Sequence, residues 1–483
     1  MTEGQISSEG IEVFISYSHK DELLRDELEK HLTILKRQKL ILTWFDRKIG
    51  AGEEWKGQID EHLDSAPIIL LLISADFLAS DYCYDIEMKH AMERHESGVA
   101  RVIPIILRHA YWKGSPFSKL QALPTNAEPI KDGNWRSIDA AFEDVTEGLE
   151  KVIRGFKKDK TIPPIPSPKT IIVDQMHRGD FTTITEAIAA AAPGSRISIR
   201  PGVYDEGLII DKPLEIVGAG EIGEVVIRAL GKPAISFQAV RGRISNLFIR
   251  QNGGGNYFSV DIDQGCLELC GCDIKSDGAA CIGVYGNAYP RIISNKIHNS
   301  KDGGIYVYQN GQGVIENNEI YGNALSAVDI HGCGNPTLKR NKIHDGKSSG
   351  IYIRENGLGV VEDNEIYGNA LSGVVIKNHG NPTIKHNKIH DGKDCGIYVY
   401  ESGQGLIENN EIYGNALSGV AISDGGNPII KHNRINKNAY HAVQIKKLGA
   451  GTIEDNDFRE NRHGPWYISE DSKSLVKRAR NQE

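Results

Sequence analysis

The sequence predicts two domains of different fold class, an α/β domain with a parallel sheet and an all-β parallel β-helix. Two observations carry this prediction. Up to about residue 156, short apolar runs alternate with amphipathic segments, which is the order of a parallel sheet covered by helices on both sides. From about residue 170, related segments recur every 23 residues, which is typical of a β-helix with one coil per repeat. We therefore expect residues 11–156 and 170–465 to fold as separate domains.

Hydrophobic periodicity divides the first domain into strands and helices, after an N-terminal tail of residues 1–10. The run Ile68–Ile73 is continuously apolar, as expected for a strand that is buried on both faces. The segment Asp21–Arg37 repeats leucine at helical spacing. The predicted strands are Val13–Ile15, Ile41–Phe45, Ile68–Ile73 and Val102–Leu107, and the predicted helices are Asp21–Arg37, Trp55–Leu63, Met88–Glu96 and Phe142–Phe156.

A linker is predicted between the two domains. Residues 157–169 contain four prolines and show no hydrophobic periodicity. This composition is typical of a stiff and extended connection.

Three columns of residues recur at 23-residue intervals in the second domain, which we expect to end before a C-terminal tail of residues 466–483. Ile residues, starting at Ile274, predict the core of the coils. Asn residues, starting at Asn295, are expected to hydrogen-bond along the axis as an amide ladder. Small residues, starting at Gly304, indicate positions where a side chain would crowd or φ is positive. A short helix at Thr183–Ala192 would cap the first coil.

The bulk composition narrows the functional classes open to this chain of 483 residues. Its net charge of −8 provides no basic surface, so we expect no nucleic-acid partner. No apolar run reaches about 18 residues, and no basic region followed by an apolar core stands at the N-terminus. We therefore expect a cytoplasmic protein without a membrane partner. The seven cysteines are an odd number, which argues against a complete disulfide framework.

Two motifs have the form of binding sites but are better explained by the fold. Gly218–Gly223 satisfies G-x-G-x-x-G, yet Val225–Ile227 predicts a strand where the dinucleotide motif requires a helix. Cys266, Cys270 and Cys272 lack the four ligands with paired spacing that zinc requires. We interpret them as core cysteines and expect no metal site.

An alternating column of His and Tyr runs along the repeats from His298 to Tyr413 in steps of 23 residues. An aromatic stripe on a solenoid could stack against sugars or a protein partner. The alternative is that duplication of a two-coil unit copied surface residues, because the block that begins at Glu319 recurs at Glu365 and Glu411. The sequence leaves both interpretations open.

One carboxylate is distinguished by its position in the first domain. The segment Ser80–Glu87 follows the predicted strand Ile68–Ile73 and precedes a predicted helix. This order places Glu87 at the rim of an α/β sheet, where open sheets of this class bind their ligands. Glu87 is therefore a candidate catalytic residue, and the alternative from the same residues is an exposed acid at a helix N-terminus.

The first domain closely resembles the bacterial form of the Toll/interleukin-1 receptor (TIR) domain. The resemblance covers the whole domain in order and implies a flavodoxin-like sheet of five parallel strands. The matching segments are Phe14–Asp21, Trp44–Arg47 with Gly50, Gly52 and Trp55, Ser74–Leu78, and the segment that ends at Glu87.

The resemblance implies an activity as well as a fold. Many bacterial TIR domains cleave NAD+ at the nicotinamide–ribose bond with a glutamate that matches Glu87. Nicotinamide leaves as a neutral molecule, so a single carboxylate near the ribose can support the reaction as oxocarbenium character develops. NAD+ is then a substrate and no cofactor is implied. Water or a base nitrogen can complete the reaction, so hydrolysis and cyclisation both remain open.

The resemblance also implies which residues surround the substrate and which associate with a neighbouring TIR domain. Cys83 stands where many family members carry an aromatic residue, four positions before the glutamate. Either adjacent tyrosine could replace that ring; if neither does, the domain is either a slow enzyme or a module that recruits other TIR proteins. The implied substrate-binding residues are Phe14, Ser16, Trp44, Asp46, Tyr82, Cys83 and Tyr84. The implied association loop contains Asp46, Arg47, Gly50, Gly52 and Trp55.

Residues 170–465 resemble the right-handed parallel β-helix of the pectin-lyase-like superfamily, with Thr183–Gly202 matching its N-terminal cap and first coil. The outward positions Asp329, Val375 and Ala421 do not repeat an acid, so we expect no second active site. The combined interpretation is a TIR NAD+ hydrolase or cyclase. Its β-helix would sense an unknown ligand or protein, or assemble TIR domains, in prokaryotic immune or stress signalling. The alternative is a non-catalytic TIR adaptor whose β-helix binds a partner or carbohydrate.

Overall fold

The computed structural model describes residues 10–44, 63, 66–80, 88–96, 100–158, 170–221 and 223–483. The chain divides into two compact units, Met1–Ser167 and Pro168–Glu483. Each unit has its own hydrophobic core.

The first unit contains a parallel sheet, as the sequence predicts. Its strands are β1 (Ile11–Ser16), β2 (Ile41–Trp44), β3 (Ile68–Ile73) and β4 (Arg101–Ile106), in the order β2-β1-β3-β4. The most apolar run takes an inner position, because all six residues of β3 are buried between β1 and β4.

The edge beyond β4 differs from the five-stranded sheet that the resemblance implies. Among the described residues, no fifth strand of regular length pairs with β4. Leu123 instead forms an isolated parallel bridge with Ile105. The amides of Ile130 and Lys131 donate to the carbonyls of Ile106 and Leu107 at 3.0 and 2.9 Å. Short segments therefore satisfy the outer backbone groups of this strand.

Helices cover both faces of the sheet and bury an apolar side against it. They are α1 (Glu22–His31), α2 (Thr33–Arg37), α3 (Ala75–Leu78), α4 (Lys89–Glu96) and α5 (Ile138–Lys158). Three-residue or four-residue turns of 3-10 helix lie at His19–Asp21, Pro116–Lys119 and Thr125–Ala127. The helix predicted over Asp21–Arg37 is divided at Leu32, and most of the one predicted over Trp55–Leu63 lies outside the described residues.

The second unit is a parallel solenoid whose coils contribute strands to three faces. Equivalent strands pair in parallel between residues 23 positions apart, as Ile320 does with Ile343. The long strand Val260–Cys270 contributes to both face 1 and face 3.

The strands of face 1 are Thr170–Val173, Arg196–Ile199, Glu215–Gly218, Arg241–Ser245, Val260–Cys270, Arg291–Ile293, Val314–Glu316, Thr337–Lys339, Val360–Glu362, Thr383–Lys385, Leu406–Glu408, Ile429–Lys431, Gly451–Glu454 and Val476–Ala479. Those of face 2 are Gly202–Tyr204, Val225–Leu230, Phe248–Asn252, Asp273–Ser276, Lys296–His298, Glu319–Tyr321, Lys342–His344, Glu365–Tyr367, Lys388–His390, Glu411–Tyr413 and Arg434–Asn436. Those of face 3 are Leu208–Ile210, Ile235–Phe237, Val260–Cys270, Ile282–Ala288, Ile305–Val307, Val328–Ile330, Ile351–Ile353, Val374–Ile376, Ile397–Val399, Val420–Ile422, Val443–Ile445 and Trp466–Ile468.

The predicted amide ladder runs through the interior of the solenoid. Asn341 donates its backbone N–H to Oδ1 of Asn364 at 2.9 Å, and its Nδ2 donates to the same oxygen at 2.9 Å. This pattern repeats along the column from Asn295 to Asn456. Because each amide bonds to the next coil, the ladder fixes the register between coils as well as filling the corner.

The column of small residues is explained by close approach between coils. A Cβ on Gly396 would lie 2.4 Å from Cγ2 of Ile412 and 2.7 Å from the carbonyl oxygen of Gly419. Of the two reasons offered by the sequence, crowding is therefore the one that applies at this position.

The solenoid has a helical cap at one end, and its sheets continue beyond the expected boundary at the other. Helix α6 (Ile184–Ala190) begins after Thr183, whose Oγ1 accepts the amide of Glu186 at 3.3 Å. At the C-terminal end, Trp466–Ile468 and Val476–Ala479 pair with strands of the preceding coil. The residues expected as a tail, 466–483, thus contribute strands to faces 1 and 3.

Candidate functional site

The carboxyl ends of the four parallel strands lie along one edge of the sheet in the first unit. Ser16 ends β1 and is 1% exposed. Ser74 follows β3, and Arg108 lies two residues after the end of β4. This is the edge at which open α/β sheets place their ligands.

A buried carboxylate ties these strand ends together. Asp21 is 2% exposed and accepts hydrogen bonds from Oγ of Ser74 and, at 2.8 Å, from Nε of Arg108. Ser74 also caps α3, because its Oγ accepts the amide of Phe77 at 3.0 Å. One aspartate after β1 therefore positions the chain that follows both β3 and β4.

Arg108 bridges the buried carboxylate to a second one nearer the surface. Its Nη2 donates to Oδ2 of Asp76 at 2.6 Å, and Lys20 donates to the other oxygen of Asp76 at 3.0 Å. These two hydrogen bonds hold the pKa of Asp76 below its ordinary value. The two carboxylates and two cations of this network balance in charge, and their hydrogen bonds connect the strand ends.

The three predicted substrate-binding residues that the structure describes lie together beside this edge. Phe14 and Trp44 are cross-strand partners whose rings stack at 5.5 Å with an interplanar angle of 17°. They are only 1% and 7% exposed, and they belong to a core cluster with Phe77 and Met88. Phe14 and Trp44 therefore form part of the core beneath the edge, with Ser16 at its end.

The start of helix α4 is anchored from below. Met88 and Met92 are buried in the same cluster as Phe14. The buried guanidinium of Arg94 donates to the carbonyl of Leu63 and, at 2.7 Å, to that of Ala66. The chain directly after Glu87 is thus fixed by apolar packing and by these two hydrogen bonds.

Most of the residues assigned to NAD+ cleavage and association lie outside the described residues. Their roles stay predictions. They are Glu87, Asp46, Tyr82, Cys83 and Tyr84 for the reaction, and Asp46, Arg47, Gly50, Gly52 and Trp55 for the association loop.

Sequence reasoning missed the role of the Asp21 network. Asp21, Ser74 and Asp76 lie in segments that carry the resemblance, but none of them was assigned a role at the site. Arg108 received no attention, although a charged residue just after a buried strand is the available signal.

The His/Tyr column of the solenoid is confirmed as a regular feature of face 2. Consecutive rings from His298 to Tyr413 stack at centroid distances of 4.7 to 5.3 Å, with interplanar angles of 2 to 8°. The ring faces cover one another, so the column stabilises adjacent coils. Stacking on a flat ligand would require faces that the neighbouring rings already occupy.

Of the three cysteines predicted to lie in the core, only Cys272 does so, whereas Cys266 and Cys270 are half-buried because their positions in the strand alternate with the inward-facing leucines. Cys272 is 2% exposed and takes the place of an asparagine in the ladder, with its amide donating to Oδ1 of Asn295 at 2.9 Å. Burial raises the pKa of its thiol to about 12. Within the described residues, no group of three or more His, Cys, Asp or Glu is arranged to hold a metal ion. Nor does any helix in the described part of the chain have the length and apolar character needed to cross a membrane.

Comparison with protein families identifies both units. The profile described as "TIR domain" matches residues 13–138. The profile described as "Right handed beta helix region" matches residues 233–361 and 326–479, which together span more than half of the chain. A protein of Sinorhizobium fredii (strain NBRC 101917 / NGR234), "Uncharacterized protein y4lF", is 55% identical over 152 residues, which cover 32% of this chain and 46% of that protein. The chain thus matches less than half the length of this relative.

Several solved structures resemble the solenoid at low sequence identity. The mannuronan C-5 epimerase AlgE4 A-module of Azotobacter vinelandii is 18% identical with a TM-score of 0.48, covering 59% of this chain and 91% of its own. The periplasmic alginate epimerase AlgG is 16% identical with a TM-score of 0.44, covering 60% and 76%. The catalytic domain of a GH87 α-1,3-glucanase is 13% identical with a TM-score of 0.45, covering 65% and 69%. From the family matches, this chain belongs to the right-handed β-helix family and carries an N-terminal TIR domain.

Proposed function

We propose that the TIR domain cleaves NAD+ at the nicotinamide–ribose bond, with Glu87 as the catalytic carboxylate. The observation that supports this best is the rigid carboxyl edge of the sheet. Asp21 and Arg108 fix its strand ends, and Met88, the residue after Glu87, is fully buried. Glu87 directly precedes this buried anchor in the sequence, and catalysis would require its carboxylate to be held in a defined position.

Glu87 would act electrostatically in this reaction. As the glycosidic bond to nicotinamide lengthens, positive charge develops on the ribose, and a nearby carboxylate stabilises it. The bond breaks with its electron pair going to nicotinamide, which leaves as a neutral molecule. Water then yields ADP-ribose, or a base nitrogen of the same molecule yields a cyclic product. We propose that Ser16 lies near the substrate, while Tyr82 or Tyr84 supplies the ring that Cys83 lacks.

The solenoid would control this activity as a sensor or scaffold. Its coils are held in one register by a continuous ladder of buried amides, which suits a rigid support. We propose that multimers formed on this support bring the segment Asp46–Trp55 of one TIR domain beside Glu87 of another. Such conditional NAD+ depletion would suit prokaryotic immune or stress signalling.

The test is nicotinamide release from NAD+ by the purified full-length chain, measured by chromatography at low and high protein concentration. Glu87→Gln keeps the size of the side chain and removes its charge, so we expect at least a hundredfold loss of rate. Glu143→Gln is the matched control, because Glu143 is an exposed acid of α5 whose ion pair with Arg136 is 3.7 Å long. Equal rates for the two variants would remove Glu87 from the mechanism.

A second candidate function is a TIR adaptor without catalysis, which the cysteine at position 83 favours. In that case the wild-type chain would release no nicotinamide at any concentration. Cys83→Phe would separate the two functions further, because restoring the ring should raise the rate only of an enzyme.

A further inference from the structure

The duplicated part of the solenoid has diverged on one face. Residues 299–344, 345–390 and 391–436 are three consecutive copies of a 46-residue unit, and the block 318–326 is identical in all of them. At five positions each of the three copies carries a different residue. In the first copy these positions are Gly303, Asp329, His331, Gly332 and Cys333.

These five positions map to face 3 and the turns beside it. Asp329 is the central outward residue of Val328–Ile330, and its equivalents Val375 and Ala421 occupy the same place two and four coils along. The remaining four precede or follow a strand of the same face. On faces 1 and 2 and in the interior, at least two of the three copies share the residue at every position, so the scaffold has changed less than this one surface.

A groove lies across this altered surface. It encloses about 490 Å³ over the coils between Tyr306 and Tyr398. Its floor includes Asp329 and Val375, and its rim includes Leu325 and Leu371, which are 49% and 48% exposed. Tyrosine and serine make up more than half of the lining residues. This combination of rigid aromatic rings and small hydroxyls is typical of surfaces that bind protein.

The charges in the groove are unequal from one coil to the next. Between the ends, Asp329 forms an ion pair with Arg354 at 3.4 Å and lies 3.0 Å from Nδ1 of His331. At the ends, Asp302 accepts a hydrogen bond from the hydroxyl of Tyr306, and Asp394 accepts one from Ser372 at 3.2 Å. Within the described residues, neither Asp302 nor Asp394 forms an ion pair. Asp394 thus lines one end of the groove without a cation, and Asp302 lies beside the other end, where it binds the hydroxyl of the lining residue Tyr306.

The loss of the repeat on this face indicates the kind of ligand. A polymer of identical units, such as a regular polysaccharide, presents the same groups at constant spacing. Near-identical coils would match such a polymer best if their outward residues had stayed periodic. In this groove the tyrosines and leucines recur every 46 residues, but the floor changes from Asp329 to Val375, so the surface as a whole does not repeat. An aperiodic chain with both apolar and charged side chains, a polypeptide, fits this surface better than a glycan.

The spacing of the end carboxylates sets the length of the segment. Asp302 and Asp394 lie on coils four steps apart, and strands in a sheet are spaced by about 4.8 Å, so the carboxylates are separated by roughly 19 Å. An extended peptide rises about 3.3 Å per residue, so side chains six positions apart are separated by about 20 Å and point to the same side.

We propose that this groove binds an extended polypeptide segment of a partner protein, with two basic side chains six residues apart that pair with Asp302 and Asp394. The tyrosines and the exposed leucines take the apolar side chains between them. Peptide binding in this groove would be the recognition step of the proposed function. The binding itself does not depend on NAD+ cleavage; only its effect on NAD+ rests on the proposed function.

The test uses displayed peptide libraries of nine residues, panned against the full-length chain. One library carries lysine at positions 2 and 8, and the other carries glutamate there. We expect enrichment from the lysine library only. Enriched peptides are then synthesised with a fluorescent label and titrated by anisotropy. The double variant Asp302→Asn, Asp394→Asn should weaken their binding at least tenfold, because both charge-assisted hydrogen bonds are lost.

The matched control is the double variant Asp345→Asn, Asp391→Asn. These two carboxylates lie beside face 2, where they contact Nδ1 of His344 at 2.9 Å and Nδ1 of His390 at 2.8 Å. It should change the dissociation constant less than twofold. Enrichment from neither library, or equal binding by wild type and the groove variant, overturns the proposal. A panel of neutral and uronic-acid oligosaccharides is tested in the same way. A sugar that binds the wild type and binds the groove variant more weakly also overturns the proposal.

The binding measurement contains no NAD+, so the two proposals fail separately. A peptide that binds in the groove while the chain releases no nicotinamide supports the groove and contradicts the proposed reaction. Nicotinamide release without peptide binding supports the proposed reaction and contradicts the peptide-binding groove.

Discussion

Replacing one asparagine of the buried ladder tests whether the amides hold the coils in register. Asn364 is 1% exposed, and its Oδ1 accepts both the backbone N–H and the Nδ2 of Asn341, each at 2.9 Å. Its own Nδ2 donates to the carbonyl of Leu338 and to Oδ1 of Asn387, each at 3.0 Å. Asn364→Ala removes these bonds and leaves the backbone N–H of Asn341 and one N–H of its side-chain amide without an acceptor, while the other side-chain N–H keeps the carbonyl of Ile315.

The magnitude follows from the two orphaned donors. A buried polar group without a partner costs about 1–3 kcal/mol, so the coil should lose about 2–6 kcal/mol of its free energy of opening. Since about 1.4 kcal/mol is a factor of ten in an equilibrium constant, the amide of Asn341 should exchange its hydrogen roughly thirtyfold to ten-thousandfold faster. The effect should be greatest in the adjacent coils, because each coil of a solenoid contacts only its neighbours.

Hydrogen exchange followed by mass spectrometry on peptides that cover residues 338–345 measures this local opening directly. The matched control is Asn381→Ala, since Asn381 is an exposed asparagine of a neighbouring coil. We expect the control to exchange at the wild-type rate. A change of less than threefold for Asn364→Ala would refute the reasoning, because the apolar column alone would then be sufficient to hold the register.

Two further predictions concern charged pairs. Arg108→Met leaves the carboxylate of Asp21 buried without its cation and should destabilise the first unit by about 2–3 kcal/mol, less than a fully buried pair because Arg108 is partly exposed. Thermal unfolding followed by tryptophan fluorescence reports mainly on this unit, since four of the five tryptophans precede residue 136. The control is Arg154→Met, at an exposed helix residue, which should lower the free energy of unfolding by less than about 0.5 kcal/mol. In the last coils, the hydrogen bond from Arg459 lowers the pKa of Asp457 to about 2. Because the folded pKa lies below the ordinary value, this contribution is complete above pH about 4 and is lost as the pH falls toward 2. In Asp457→Asn, hydrogen-exchange protection of these coils should fall less steeply between pH about 4 and 2 than in the wild type. The same pH dependence in both proteins would contradict a stabilising role for the Asp457 carboxylate.

The solenoid could be predicted in detail because its stabilising contacts join residues at a constant separation. Ile320 pairs with Ile343, and Asn341 bonds to Asn364, each across 23 residues. A column of identical residues in the sequence is therefore a column of contacts in the structure, and the prediction needs no further information. The same separation joins Cys272 to Asn295, whose Oδ1 accepts the amide of Cys272.

The site in the TIR domain could be predicted only in part, because its contacts have no periodicity. Asp21 and Arg108 are 87 positions apart, and nothing in the local sequence of either indicates the other. The buried strand β3 was predicted from its six apolar residues, but the polar network at its end depends on three separate loops meeting at one edge. Phe14 and Trp44 were assigned to the substrate site from the resemblance alone, and the structure adds that their stacked rings are buried beneath the edge.

The length of the duplicated unit has a physical explanation in the two scaffold faces. On face 1, Glu and Lys alternate between coils, and Lys339, Lys385 and Lys431 each reach the glutamate of the preceding coil at 3.0 to 3.2 Å. On face 2, His and Tyr alternate and stack. Copying a single coil would place lysines about 4.8 Å apart, which costs about 1 kcal/mol per pair even in water, whereas alternation makes each contact favourable. A pair of coils is the smallest unit that can be inserted so that Glu still faces Lys and His still faces Tyr between every two adjacent coils. The 46-residue period is therefore selected by faces 1 and 2, and it leaves face 3, which carries no such ladder, free to diverge.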